Sequence, residues 1–294
     1  MNKLPDATRA KIVHHIAEGC SIRGTGRLVG VSKDTVAKLV VDIGAACAKY
    51  LDEIMYDLPC KRIQIDEIWA FVWQKERNVA PEFKGVLGFG DCYTWVSMDP
   101  DTKLAVNFLV GRRDAEFADA FVADLAPRLR NRVQISSDGH KSYVAAIEKA
   151  FASKVDYGQV VKRYGGTRIY QDGSTKKCRS SECSSIEKQT ISGNPDPAHI
   201  STSLIERQNK TMRMSLRRYT RKTDAFSKKL WNHHCATALY FMYYNFARIH
   251  QTLRCTPAQE AGLSKHVWSL EEIAALAPIV APKIRGAYRK QDAA

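Results

Sequence analysis

The 294-residue chain is poor in several things that would otherwise define its class. Its eight cysteines include no Cys-x-x-Cys pair and follow no regular spacing, which argues against a zinc ribbon and a secreted disulfide framework. Reduced thiols in a cytoplasmic protein are the expectation. Cys178, Cys183 and His199 are the one set of soft ligands worth weighing, and their spacing is a weak signal. The first residues, Met1-Asn2-Lys3-Leu4-Pro5, lack an apolar core, so no signal peptide is expected. The longest apolar stretch, near 236–247, is too short and too polar to cross a bilayer, which leaves no membrane partner. Acid is scarce as well, but only in one part. Residues 161–294 carry twenty-three Lys and Arg against ten acids, and they hold +13 of the net +14. The main electrostatic surface is expected there, facing a polyanion with salt-sensitive affinity.

What is present begins with residues 62–72, Arg-Ile-Gln-Ile-Asp-Glu-Ile-Trp-Ala-Phe-Val. This density of Ile, Trp, Phe and Val reads as a mostly buried strand with Asp66 and Glu67 in its middle. A buried acid there needs a compensating cation. The plain alternative sets one acid against an arginine and the other in solvent. A second acid, Asp138, follows the short strand at 133–137 and precedes a helix with Tyr143, Ile147 and Phe151 at four-residue steps. Ligands gather at such strand ends in α/β folds, although Asp138-Gly139 also suits an ordinary turn. A third, Glu206, lies on the helix expected over 201–219. There Glu206, Asn209, Lys210, Arg213 and Arg217 share one face, and Ile205, Met212 and Leu216 another. The plain reading of Ser203-x-x-Glu206 is a capping box. An acid on a first strand, an acid after a later strand and a glutamate on a following helix suit two-metal phosphoryl transfer. Two hard Mg²⁺ or Mn²⁺ ions would share carboxylate oxygens, one activating the attacking oxygen and one stabilising the leaving oxygen.

Ahead of these acids, 21–40 has the form of a helix-turn-helix. A short helix closes at Gly30, Val31 plugs the turn and Ser32 caps a second helix that presents Lys33, Asp34 and Thr35. Gly24 and Gly26 weaken the first of these helices. The second is expected to run on as a connector to about Met55. After the first strand, 74–90 reads as a loop. Strands follow at about 91–98 and 103–110, joined by a turn at Asp99-Pro100-Asp101-Thr102. Asp91, Asp99 and Asp101 are rival ligands, the last two better suited to that turn. A helix is expected at 114–126, a strand at 155–162, an irregular polar insertion at 164–197 and a long aromatic helix at 228–249. The basic segment 282–290 reads as a flexible tail that adds nonspecific affinity.

Four stretches, 58–69, 137–143, 193–209 and 244–257, together with the helical motif near 20–41, resemble DDE-class transposases of the insertion sequence 1 family. The resemblance implies an α/β architecture: an N-terminal all-α helix-turn-helix domain over 1–57 and an RNase H-like mixed-sheet catalytic domain over 58–265 with an insertion at about 164–198. C-terminal helices and the tail would occupy 266–294. It implies catalytic, metal-binding acids at Asp66, Asp138 and Glu206, with two Mg²⁺ or Mn²⁺ ions. It also implies DNA partners, namely transposon terminal inverted repeats and target DNA, a homodimer or larger homo-oligomer, and the bacterial cytosol or nucleoid as location. Candidate DNA contacts in the helical motif are Arg23, Arg27, Ser32, Lys33, Thr35 and Lys38. Beside the second acid they are His140 and Lys141, and around the third Arg207, Asn209, Lys210, Arg213, Arg217, Arg218 and Arg221. The alternatives are a structure-specific, metal-dependent nuclease and a helix-turn-helix repressor whose second domain is inactive.

Overall fold

In the computed structural model, which describes residues 4–170 and 172–277, the chain is a mixed α/β protein built on one six-stranded sheet. The expected tail at 282–290 lies outside the described residues. The first strand, β1 (Arg62–Val72), pairs antiparallel with β2 (Gly90–Met98), which pairs antiparallel with β3 (Ala105–Gly111). On its other side β1 runs parallel to β4 (Val133–Asp138), and β4 runs parallel to β5 (Val155–Tyr164). The two parallel pairings need crossovers, which two helices supply. A last strand, β8 (Cys183–Ser192), closes the order β3-β2-β1-β4-β5-β8. This is the RNase H-like arrangement, carrying an extra antiparallel edge.

Register matters more to the site than the strand order does. The β1–β4 ladder pairs Gln64 with Ser136, and the β4–β5 ladder pairs Asp138 with Val160. Side chains alternate between faces with period two. Asp66 and Asp138, each two residues beyond the Gln64–Ser136 pair, therefore point to the same face at the same level. Lys162, two residues beyond Val160, joins them.

The other face carries α4 (Ala115–Leu125), capped by the Asp114 carboxylate, and α5 (Lys141–Phe151). Trp95, opposite Glu67 in the β1–β2 ladder, packs edge-on against Tyr143 and tilts against Phe121. All three are fully buried, so Glu67 projects into an aromatic layer while its neighbour Asp66 faces away from it. On the Asp66 face lies α6 (Ser203–Ser215). Gln64 Oε1 accepts the N–H groups of Leu204 and Ile205, both at 3.0 Å, and so satisfies the helix start. One turn on, Asn209 Nδ2 donates to Asp66 Oδ2 at 2.8 Å. The match is geometric: two residues of strand advance about 6.6 Å and four of helix about 6 Å. The capping box of the plain reading at Ser203 is not formed, because Thr202 holds the cap position and Ser203 is already helical.

Behind α6 runs α7 (Leu230–Met242), which carries on through a π-helical turn at Tyr243–Ala247 instead of continuing regularly to 249. In that turn the buried Asn245 amide donates to the Ala105 carbonyl and accepts the Ala105 N–H, completing the backbone where β3 begins. At the N-terminal end, α1 (Asp6–Ala17), α2 (Ile22–Val29) and α3 (Lys33–Ile54) form the helical segment. Gly30 ends α2 at φ 73° and the Ser32 hydroxyl caps α3, as their order implied. Gly26, which looked like a weakness, has a packing reason: a Cβ there would lie 2.8 Å from the Val31 carbonyl oxygen. After the short α8 (Pro257–Glu260), α9 (Leu270–Ala275) returns to α1, where the buried Arg9 donates to the Ala274 and Ala277 carbonyls. One hydrophobic core runs through α1, α3, the sheet, α7 and α9, continuous across the expected boundaries.

The polar stretch 164–197 differs from the irregular loop its composition suggested. It holds β6 (Thr167–Ile169) paired with β7 (Thr175–Lys177), then β8 (Cys183–Ser192), which pairs with β5 along its length. An edge strand largely exposed on both faces needs no apolar alternation, so the usual signal is missing.

A close helix approach gives a test. A Cβ on Gly44 of α3 would sit 2.1 Å from the Cys235 carbonyl oxygen of α7. Backbone cannot yield as a side chain does, so Gly44→Ala is expected to cost about 2 kcal/mol or more of stability. An unchanged denaturation midpoint would show that α3 does not pack on α7 at this register.

Candidate active site

Asp66, Glu67 and Asp138 each present a carboxylate oxygen within 4.8 Å of the others, the one such grouping of at least three metal-capable side chains among the described residues. Cys178, Cys183 and His199 form no such group. Of the rival acids, Asp99 accepts the Asp101 N–H and the Thr102 hydroxyl inside its turn, and Asp101 pairs with Arg62. Both serve the β2–β3 connection.

Each carboxylate is held differently. Asp66 accepts the Glu67 N–H at 2.9 Å on Oδ1 and the Asn209 amide on Oδ2. Asp138 Oδ1 accepts the His140 N–H at 3.0 Å, tightening the turn into α5, while Oδ2 lies 3.9 Å from Arg113 Nη2. Glu67, only 4% exposed, is bound by Arg113 Nε and by the Tyr143 hydroxyl at 2.8 Å. For Glu67 the plain reading of an acid facing an arginine is what the structure has. Glu206 stands apart from the tight group. Its Oε1 accepts Lys162 Nζ at 2.5 Å and the Thr202 hydroxyl at 2.6 Å.

Charge is therefore unbalanced: four acids meet two cations, and both cations are bound to acids other than Asp66. Burial, reinforced by the negative charges of Glu67, Asp138 and Glu206 and opposed by the Glu67 N–H, pushes the Asp66 carboxyl up to about 7. Glu206 is thus near enough to be felt at Asp66, although outside its immediate contacts. Beside it, Asn209 Oδ1 is buried with no hydrogen-bond partner. An all-oxygen donor set, an uncompensated carboxylate and an orphaned acceptor suit a hard divalent cation. Asp66 and Asp138 are the ligands best placed to hold one.

The candidate DNA contacts divide by exposure. Arg23, Arg27, Lys33 and Lys38 are exposed around α2 and α3; Ser32 and Thr35 share a 2.9 Å hydroxyl contact at the cap. Lys141, Arg207, Lys210, Arg217 and Arg221 are exposed. The others have internal partners. His140 accepts the Ser142 N–H at the start of α5 and packs 5.8 Å from Trp95. Arg213 donates to the Trp69 and Tyr219 carbonyls, Arg218 to the Ser227 hydroxyl, and Asn209 to Asp66. Sequence reasoning missed the roles of Gln64, Arg113, Tyr143, Lys162 and Thr202. Only Lys162 left a trace, its strand parity relative to Asp138, and reading that needs the register.

No family model matches the chain, and no curated protein matches it. Among solved structures it is similar to a piggyBac transposase synaptic complex with hairpin DNA, at TM-score 0.41 and 11% identity over 92% of this chain and 70% of that one. A Mos1 transposase paired-end complex with a left transposon end gives TM-score 0.21 and 12% identity over 51% of this chain and 58% of that one, less than two thirds of its length. The Mos1 strand transfer complex gives 0.24 and 9% over 83% and 78%. Likenesses this distant assign neither a family nor corresponding residues. No helix among the described residues is long and apolar enough to cross a membrane.

The raised Asp66 carboxyl has a signed consequence. Between its ordinary value of 3.8 and about 7, the folded metal-free chain keeps a proton that the unfolded chain has lost. Stability therefore falls as pH rises through that window, by an amount on the order of 2–4 kcal/mol. In chelator, Asp66→Asn is expected to flatten that slope and to be the more stable protein at pH 8. Adding Mn²⁺ should stabilise the wild-type chain at pH 8 and barely at pH 5. Parallel pH curves for the two proteins would contradict the charge assignment.

Proposed function

We propose that the chain is a metal-dependent DNA transposase of an insertion sequence, of the kind the sequence resembles in the insertion sequence 1 family. The observation that supports this most is the placement of Asp66 and Asp138 at one level of adjacent parallel strands, under a helix that carries Glu206. Asp66, Asp138 and Glu206 are the residues proposed to hold two divalent ions, Mg²⁺ or Mn²⁺. Bound there, the ions would supply activation of an attacking oxygen and stabilisation of a leaving one. Asn209 fixes the rotamer of Asp66, the His140 N–H fixes that of Asp138, and Gln64 fixes the height of α6 over both. In the first step water oxygen bonds to the scissile phosphorus, the P–O3′ bond breaks, and the element end keeps the free 3′-hydroxyl. In the second, that hydroxyl attacks a target phosphorus, displacing the target's own 3′ oxygen. The exposed Arg23, Arg27, Lys33 and Lys38 around α2 and α3 are proposed to read terminal repeats, with Arg207, Lys210, Arg217 and Arg221 on the phosphates nearer the acids. Two ends must be held together, which calls for a homodimer or larger assembly.

A second reading has its own observation. Glu206 is bound to Lys162, outside the tight carboxylate group, as an inactive catalytic domain behind a DNA-binding motif would allow. Cutting of DNA with Mn²⁺ decides between the two, and strand transfer separates a transposase from a nuclease that only hydrolyses. Asp66→Asn, Asp138→Asn and Glu206→Gln are each expected to lower cleavage and joining by several kcal/mol of barrier, about a thousandfold or more. For Asp66→Asn and Asp138→Asn, binding to terminal repeats should stay within about threefold of wild type, since phosphate and base contacts lie elsewhere. Undiminished cutting by all three variants would refute the site.

A further inference from the structure

The two cations at the site are held in unlike ways. Arg113 is bound to Glu67, which is 4% exposed and takes the Tyr143 hydroxyl as well. Releasing Arg113 would leave a buried charge unpaired, a costly step. Lys162 holds one acid, Glu206; the two side chains are 30% and 42% exposed, and water can replace either partner. Strand register turns Lys162 to the face of Asp66 and Asp138, and its ammonium is near enough to Asp66 to feel that charge. Lys162 therefore sits as a resident monovalent cation among the same carboxylates that suit a divalent one. It also stands beyond the end of the β4–β5 ladder, where β5 pairs with β8 alone, next to a segment rich in Lys and Arg.

Resting on the transposase reading, we propose that Lys162 binds a backbone phosphate of the DNA strand at the site, and that it is free to do so once Glu206 gives up its ammonium for a divalent ion. In the metal-free protein the ammonium is bound to Glu206 and lost to DNA. When Glu206 turns to metal, the charge is returned to the groove beside the scissile strand. Metal loading and phosphate binding then favour one another, as linkage requires. A lysine suits this better than an arginine, because a compact ammonium on a flexible stem can exchange one oxygen for another.

The test compares the full-length wild type with Glu206→Gln, Lys162→Met, Lys162→Arg and the Lys162→Met/Glu206→Gln and Lys162→Arg/Glu206→Gln double variants. Each is titrated with a fluorescent mixed-sequence duplex in chelator over a range of salt. Glu206→Gln, which frees Lys162, is expected to bind severalfold more tightly and to steepen the salt dependence by about 0.9 in log–log slope, one phosphate contact. In the Lys162→Met background the same change should add little affinity and no slope, and in the Lys162→Arg background it should preserve the gain. Mn²⁺ binding, followed by thermal shift without DNA, should be tighter in Lys162→Met than in wild type, because a competing cation is gone. A Glu206→Gln gain that persists in full without Lys162, slope included, would overturn the proposal and leave the transposase reading standing. Should Mn²⁺ neither stabilise the wild type nor support cutting, the transposase reading fails. The metal-free titrations would still decide whether Lys162 reaches phosphate.

Discussion

The parallel register of β1, β4 and β5 is the constraint on which the rest of the site depends. It brings an aspartate from each of the first two strands to one face at one level, with a lysine from the third on the same face two residues further along. Nothing local to Asp66 or Asp138 selects this. It follows from pairing Gln64 with Ser136 and Asp138 with Val160, and a slip of one residue in either ladder would turn an acid into the opposite layer. That opposite layer is Trp95, Phe121 and Tyr143, where Glu67 is tolerable only because Arg113 and Tyr143 bind it. Buried aromatic packing thus fixes the register from one side, and the acids become its consequence on the other.

Placing acids together is costly to the folded state, and the structure shows where that cost is concentrated. Glu67 and Glu206 have cations, Asp138 has a distant one, and Asp66 has only amide donors. Asp66 accordingly holds its proton to about 7. A chain selected only for stability would replace it with Asn or Val at little loss of packing. Retaining a strained carboxylate amid hydrogen bonds that fix its orientation is what pre-organisation for a cation looks like.

Much of this was legible beforehand, for identifiable reasons. The β-branched and aromatic density of 62–72, the turn after 133–137 and the Gly30-Val31-Ser32 junction are short-range signals, and each element formed within a few residues of its expected bounds. The acids on β1 and β4 could be named because carboxylates in apolar strands stand out. Partnerships across the fold could not. Asn209 and Arg213 share a polar helix face with Lys210, yet the first two turn inward to Asp66 and to backbone carbonyls while the third stays in solvent. Periodicity gives the face and says nothing about the neighbour. The π-helical turn at Tyr243–Ala247 carries the Asn245 amide that pairs with the distant Ala105 backbone, and β8 lacks apolar alternation because it is largely exposed.

The position of Glu206 follows from the same logic of long-range fit. Helix α6 is pinned to β1 by Gln64 at its first turn and by Asn209 further along, so the backbone at Glu206 has little freedom while its side chain has much. A carboxylate on a fixed helix, 42% exposed and bound through one oxygen to a flexible ammonium and a hydroxyl, moves by rotamer change alone. Asp66 and Asp138 are different: each is fixed by a backbone N–H that cannot follow a new rotamer. The site therefore combines two rigid acids with one adjustable acid. On the proposed reading, a divalent site there would assemble by a rotamer change of Glu206 and the exchange of one monovalent cation.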